Sequence, residues 1–446
     1  MGENKLISAI DIGTTKIVAT IAELIDKETI VIKGFGESKS IGVSKGMVVN
    51  INKTIDSINQ AINKAEEMSG LKLNDITVGI ASHHIKSKKE TASIKFEDEN
   101  HTLTYDDIFQ LSEKVKEIEL LPGEEIIGVY NLSMLLDNNK ITDESVGLTG
   151  KVLKGNFNLI TGNRASSNNI RKCITDLDKK INKLILEPIA SSYAVLTPRE
   201  RKLGVALIDI GGGTSDLAIF KDDAMIYSSV IPFAGNNITK DISITFKILE
   251  NQAEEVKIKY GRALPESAEI NNHISVKISP EKSINISEYN LSTVIRARVL
   301  EILSIIENKI IVSGLKNEIS AGIVITGGGS LLKDLKQIAK IVFPYADIRI
   351  GNPNLSNLQY NFDVDIENPK YSTVIGLIET VKEDILSDEK KANLNLNNND
   401  DDEFDDDDET LDKARNKTNS IKNIFKSFFN TENEDKKFDD DNDFDE

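Results

Sequence analysis

The chain has 446 residues, 39% of them hydrophobic and 28% charged, with a net charge of −18, one cysteine and no tryptophan. That length suits more than one packed core, the lone Cys173 excludes an intramolecular disulfide, and no apolar run reaches the roughly 18 residues of a membrane-crossing helix. The last 60 residues hold 21 acidic and 9 basic side chains, so the acidity belongs to the C-terminal stretch, and without a basic stripe elsewhere no nucleic-acid partner is expected. No charged-then-apolar leader is present, and the expected compartment is a reducing cytoplasm.

Residues 5–24 and 29–35 read as successive strands, broken by the turn Asp11-Ile12-Gly13-Thr14-Thr15-Lys16. A helix over about 52–68 carries Ile55, Ile58, Ile62 and Ala65 on one face and stops at Gly70; a strand over 76–81 follows. Between about 82 and 164 the pattern becomes charged and alternating, with a short helix near 105–116, as in a small inserted α+β domain. Helical spacing returns over 168–181, with Cys173 on its apolar side. A strand then enters Glu187-Pro188 and a helix over 189–196.

From residue 203 an apolar run leads into Asp209-Ile210-Gly211-Gly212-Gly213-Thr214-Ser215-Asp216. Residues 236–249 and 252–260 look helical, 274–286 carry short alternating strands, and a helix over 291–312 stops at Gly314. A buried strand from 321 enters Gly327-Gly328-Gly329, a helix spans 331–342, and another over 370–385 closes the folded part. Strands mixed with helices, twice over, predict an α/β protein of two related lobes. The first lobe takes 1–81 and 165–202 around an insert at 82–164. The second takes 203–386, with an outer subdomain at about 236–320.

Residues 387–417 read as an acidic, disordered linker, with nine acids in the ten positions 400–409. Within 418–430, Ile421, Ile424, Phe425, Phe428 and Phe429 fall at helical spacing beside Lys422 and Lys426. A short basic amphipathic helix of this kind suits an anionic membrane surface; docking on this chain or on a protein partner is the alternative. Residues 431–446 are acidic again.

The two turns at Asp11 and Asp209 carry the chemistry. Strand, acid, glycine turn, hydroxyl, strand leaves backbone N–H groups and Thr hydroxyls free to form a concavity for phosphate oxygens. An Asp at each strand end suits a hydrated Mg²⁺. Neither turn opens a helix, which excludes the P-loop and the dinucleotide fingerprint. Two such hairpins facing one another would clamp a polyphosphate. The four histidines show no metal-ligand spacing.

Together with Gly327-Gly328-Gly329, the two turns resemble those of the actin-like ATPase superfamily, which includes actin, the heat-shock 70 kinase-like lobe and sugar kinases. The resemblance implies a two-lobed, ribonuclease H-like fold that binds ATP and Mg²⁺. Residues Asp11, Gly13, Thr14, Thr15 and Lys16 would form the first phosphate loop, and Asp209, Gly211, Gly212, Gly213 and Thr214 the second. Gly327, Gly328 and Gly329 would lie along the adenosine, Asp11 and Asp209 would hold Mg²⁺ through waters, and Glu187 would orient the attacking water. Glu187 has a plainer reading too, as an N-cap neighbour at a helix start, just before Pro188.

Within that superfamily, Ala253-Glu254-x-Val256-Lys257-x-Lys259-Tyr260-Gly261, Asn169-Ile170-x-Lys172-Cys173 and the insert resemble the bacterial FtsA family. That likeness implies contacts of Glu254 and Lys257 with ribose and adenine, or else a solvated helix face. It also implies filaments of this chain, tethering of the tubulin-like division protein FtsZ to the cytoplasmic face of the membrane at the septum, recruitment of other division proteins, and at most slow hydrolysis. Sequences of this family usually end at the membrane helix, whereas 16 residues follow Asn430 here. A PilM-like pilus-assembly scaffold and a small-molecule kinase on the same fold are the other readings.

Overall fold

The computed structural model describes residues 5–81, 84–142, 145–269, 271–279 and 282–397. Its first sheet has six strands in the order Ile181–Leu186, Ile76–Ile80, Lys5–Ile12, Lys16–Leu24, Ile30–Lys39 and Leu358–Tyr360. Lys5–Ile12 and Lys16–Leu24 form an antiparallel hairpin in register up to Ile12 opposite Ile17, and Ile76–Ile80 joins the other side in parallel. The second sheet repeats this plan with Ala224–Ile231, Ser215–Lys221, Val205–Ile210, Ile323–Thr326 and Ile348–Ile350. Here Ile210 stands opposite Ser215, and Ile323–Thr326 is the parallel neighbour. Residues such as Ile7, Ala9, Ile10, Val205, Ala206, Leu207 and Ile208 are buried without alternation, because both faces of each sheet are covered.

Helix Ile51–Ser69 covers the first sheet with Ile58, Ala61, Ile62 and Ala65; its N-cap, Asn50, accepts the Lys53 N–H. Helix Glu288–Ser313 buries Leu291, Ile295, Val299, Ile302 and Ile306 in the second lobe. The insert is a four-stranded antiparallel sheet, Asn139–Ile141, Glu124–Leu136, Val152–Asn163 and Lys86–Lys95, packed with helix Tyr105–Lys114 around Leu103, Leu111, Met134, Leu153 and Phe157. It is rooted in the first lobe but touches the second. Fully buried Asn158 donates to the Met225 carbonyl at 2.8 Å and accepts from the Ser87 hydroxyl at 2.6 Å.

Several boundaries depart from the sequence expectation. The helix expected over 168–181 is Arg164–Thr175, begun by Asn163, whose side chain accepts the Ser166 N–H; a strand takes Ile181–Leu186. The helix expected from 331 starts at Leu335, after a 3-10 turn over Gly328–Leu331 and Asp334 at φ 65°. The range 203–386 is not all second lobe, since Leu358–Tyr360 crosses to pair with Ile30–Ile32 in the first sheet. The last helix, Ser372–Asn397, runs past the expected linker start at 387, where no Gly or Pro stands to stop it. The rest of the linker and the segments 418–430 and 431–446 lie outside the described residues. Among the described residues no helix is long and apolar enough to cross a membrane.

Two helices join the lobes, Glu187–Val195 and Ser372–Asn397, and they cross in backbone contact. A β-carbon on Gly376 would lie 1.7 Å from the Ala190 carbonyl oxygen. Gly376→Ala therefore forces the helices apart, and a loss of about 2 kcal/mol or more is expected in chemical unfolding, in the range of core overpacking. An unchanged midpoint would contradict this crossing.

A second prediction concerns acid. Glu66, 8% exposed, accepts bonds from the Leu73 N–H at 3.0 Å, Lys179 Nζ at 2.8 Å and Lys72 Nζ at 2.5 Å. Burial works to raise its pKa, but these donors outweigh it and hold the carboxyl at about 2. A depressed folded value gives stability that is present above the ordinary value of 4.5 and lost as pH falls from there through about 2. Glu66→Gln is expected to flatten that acid limb in unfolding measured against pH; an unaltered limb would remove Glu66 from the account.

Candidate functional site

The hairpin turns of the two lobes meet. A β-carbon on Gly212 would lie 2.2 Å from Thr15 Cγ2, and one on Gly213 2.4 Å from Thr14 Oγ1, so only glycine permits this approach. Each turn is braced from behind. Gly46 N–H donates to Thr14 Oγ1 and Ser40 N–H to the Thr15 carbonyl, both at 3.1 Å. Gly211 N–H closes onto the Thr214 carbonyl at 2.9 Å, while Gly235 and Asn236 N–H donate to the Gly211 and Gly212 carbonyls at 3.1 and 2.8 Å.

Four carboxylates gather at this meeting. Asp11 and Asp209 stand at equivalent strand ends. Residues directly opposite in an antiparallel pair share a face, so Asp216, opposite Asp209, joins it, whereas the first hairpin has Val18 opposite Asp11. Glu187 arrives at the start of its helix, its Cγ 3.2 Å from where a β-carbon on Gly79 would be. Lys16 Nζ contacts Asp11 Oδ2 at 2.9 Å.

The electrostatics follow from this crowding. Burial, opposed by a hydrogen bond from Ser191 and reinforced by the Asp11 charge, pushes Asp209 up to about 6. Burial, then the charges of Asp11, Asp216 and Asp209, raise Glu187 well above the usual range. Burial and Asp209 do the same to Asp216, whose Oδ1 is buried without a hydrogen-bond partner. Burial alone would lower Lys16, but Asp11, Glu37 and Asp209 outweigh it and hold the ammonium above its ordinary value. Such an excess of buried negative charge, with an orphaned carboxylate oxygen, fits a divalent cation. Among the described residues no three His, Cys, Asp or Glu are close enough to hold a metal directly, so a cation here would keep much of its water shell.

The remaining candidates sit around this centre. Gly327 has φ 82°, and a β-carbon there would lie 2.1 Å from Asp209 Oδ1; one on Gly329 would lie 2.4 Å from Ile210 Cγ2, which seats the glycine loop on the second hairpin. Gly328 is open, with Lys370 Cβ nearest at 3.7 Å. Lys257 Nζ donates to the Gly235 carbonyl at 3.0 Å and to Thr239 Oγ1 at 2.8 Å, and pairs with Glu254 at 2.7 Å. Glu254 and Lys257 thus reach the second turn through Gly235, and the structure does not bring them to the carboxylates. Asp216 escaped the sequence reading as a site residue, although its place opposite Asp209 was a usable signal. Ser191, and Glu37 with its bond from Tyr371 Oη at 2.6 Å, carried none, since their partners are distant in the chain. The segment with Ile421, Lys422, Ile424, Phe425, Lys426, Phe428 and Phe429 lies outside the described residues.

Two lobes of like topology, with glycine hairpins apposed and two helices crossing between them, define the actin-like ATPase fold. The solved PilM-PilN type IV pilus biogenesis complex shares it, with a TM-score of 0.60 at 14% identity over 83% of this chain and 97% of that one. The family models "Cell division protein FtsA" and "SHS2 domain inserted in FTSA" match residues 206–376 and 82–161. Cell division protein FtsA of Neisseria meningitidis is 35% identical over 378 residues, 84% of this chain and 90% of the relative. That of Escherichia coli is 31% identical over 401 residues, 87% and 93%. The chain belongs to the FtsA family of cell-division proteins.

Asp216→Asn removes one of the crowded charges. The ligand-free protein is expected to melt a few degrees higher, about 1 kcal/mol of relief, in calorimetry without divalent ions. A lower melting temperature would mean that Asp216 is compensated by groups other than a bound cation.

Proposed function

We propose that this protein binds ATP with Mg²⁺, assembles into filaments, and tethers FtsZ to the cytoplasmic face of the membrane at the division septum through residues 418–430. The observation that carries the reading is the duplicated hairpin: two glycine turns in contact, each with an acid at its strand end, meeting over an excess of buried negative charge. When bound, Mg²⁺ and the nucleotide supply the countercharge and the transferable γ-phosphoryl group. Asp11 and Asp209 hold the hydrated cation. Backbone N–H groups and hydroxyls of Gly13, Thr14, Thr15, Gly211, Gly212, Gly213 and Thr214 take phosphate oxygens, and Lys16 offsets their charge. Glu187, with its raised pKa, orients a water and accepts its proton in slow hydrolysis. Gly327, Gly328 and Gly329 follow the adenosine, with Glu254 and Lys257 at its ribose and base.

Family membership supports a role in division and, with it, contacts with FtsZ, with further copies of this chain and with other division proteins. The tail accounts for the membrane. Basic residues give about 1 kcal/mol each near an anionic surface, so one helix binds weakly and a filament presenting many binds firmly. The shared fold alone favours the pilus-scaffold reading, and nothing in the site favours a kinase.

Flotation with anionic liposomes tests this. Full-length protein with ATP and Mg²⁺ is expected to float, a chain lacking 418–446 to stay in solution, and Asp209→Ala to float several-fold less. If the full-length protein stays in solution, or the truncated chain floats as well as it does, the tail is not the anchor. ATP-independent flotation equal in wild type and Asp209→Ala would remove the nucleotide from the account.

A further inference from the structure

We propose that Ser191 is a positioning residue for Asp209, and that a hydroxyl chain from Thr373 through Ser191 makes the set of that carboxylate depend on how the two connecting helices cross. This deepens the nucleotide reading above and rests on it.

Ser191 lies one helical turn after Glu187, so a single helix delivers both to the cleft. Its side chain is fully buried, and Oγ donates to Asp209 Oδ2 at 2.9 Å. The same Oγ is 3.2 Å from Thr373 Oγ1. A serine hydroxyl has one proton, and a carboxylate can only accept, so Thr373 donates to Ser191 and Ser191 to Asp209. The other oxygen, Asp209 Oδ1, is pressed against Gly327. Asp209 is therefore gripped from two sides, by a hydroxyl on one connecting helix and by the backbone of the glycine loop.

The chain of hydroxyls sits where the helices cross. Ser191 follows Ala190, whose carbonyl oxygen abuts Gly376, and Thr373 is one turn before Gly376. Thr326, directly before the glycine loop, is tied to the same end of that helix, its Oγ1 lying 2.7 Å from Ser372 Oγ. Rotation of one lobe against the other turns one helix over its partner and alters the Thr373–Ser191 separation. Closure of the lobes is thereby passed to the carboxylate that holds the hydrated cation, through two hydrogen bonds and without a change in the hairpin itself.

The test uses full-length wild type, Ser191→Ala, Thr373→Val and Thr373→Ser, and measures ATP binding at equilibrium against Mg²⁺ concentration and in chelator. Loss of one hydrogen bond to a charged group predicts that Ser191→Ala needs about tenfold more Mg²⁺ for half-maximal binding. Binding in chelator should change less than about twofold, because Asp209 acts through the cation. Thr373→Val, of nearly the same shape, should show a smaller shift in the same direction, and Thr373→Ser, which keeps the hydroxyl, none. Equal losses with and without Mg²⁺, or a wild-type Mg²⁺ midpoint in both Ser191→Ala and Thr373→Val, would overturn the positioning role while leaving nucleotide binding intact. If Ser191→Ala does not fold, the two Thr373 variants decide alone. Wild-type protein that binds no ATP at any Mg²⁺ concentration would overturn both the role and the reading beneath it.

Discussion

Buried negative charge at the meeting of the two hairpins is what the rest of this structure is arranged around. Asp11, Glu187, Asp209 and Asp216 come from four different strands or helix starts, and among the described residues only Lys16 sits in direct ion-pair contact with one of them. Carboxylates removed from water repel one another strongly, and a fold with only packing to satisfy would not collect them. Glycines make the gathering possible, because Gly212 and Gly213 let one turn touch Thr14 and Thr15 of the other. The strain of like charges and the absence of side chains at the contact occur together, at the one place where the two hairpins touch.

Around that centre the lobes are joined at several levels. The connecting helices cross at Ala190 and Gly376, the segment with Leu358–Tyr360 returns to the first sheet, and the insert leans on the second lobe through Asn158. Each link ties segments that are distant in the chain across the two lobes. The helix Ser372–Asn397 is the most consequential of these links, because it begins at the hydroxyls beside Asp209.

Membership of the FtsA family gives this arrangement its setting in cell division, while the likeness to a pilus-assembly structure at 14% identity extends only to the fold. The same two-lobed frame can carry different outputs, and the insert at residues 82–161 matches a domain model of this family.

The hairpins, the glycine loop and the insert were legible in the amino-acid order, because each depends on local chemistry: glycine turns between apolar runs, periodicity along a helix, a change of pattern at about 82. The extent of the second lobe was not, since Leu358–Tyr360 pairs into the first sheet. Helix ends were less legible. The Asn163 cap and the 3-10 turn before Leu335 moved boundaries that periodicity alone had placed elsewhere. What no local pattern could reveal were the contacts that close space between distant segments: Leu358–Tyr360 against Ile30–Ile32, Asn158 against Met225, Glu37 with Tyr371, and Ser191 between Asp209 and Thr373. A serine in an apolar helix looks ordinary until the opposing helix is in place. Position along the chain sets what a residue can do, and the packing of remote backbones sets which partner it does it with.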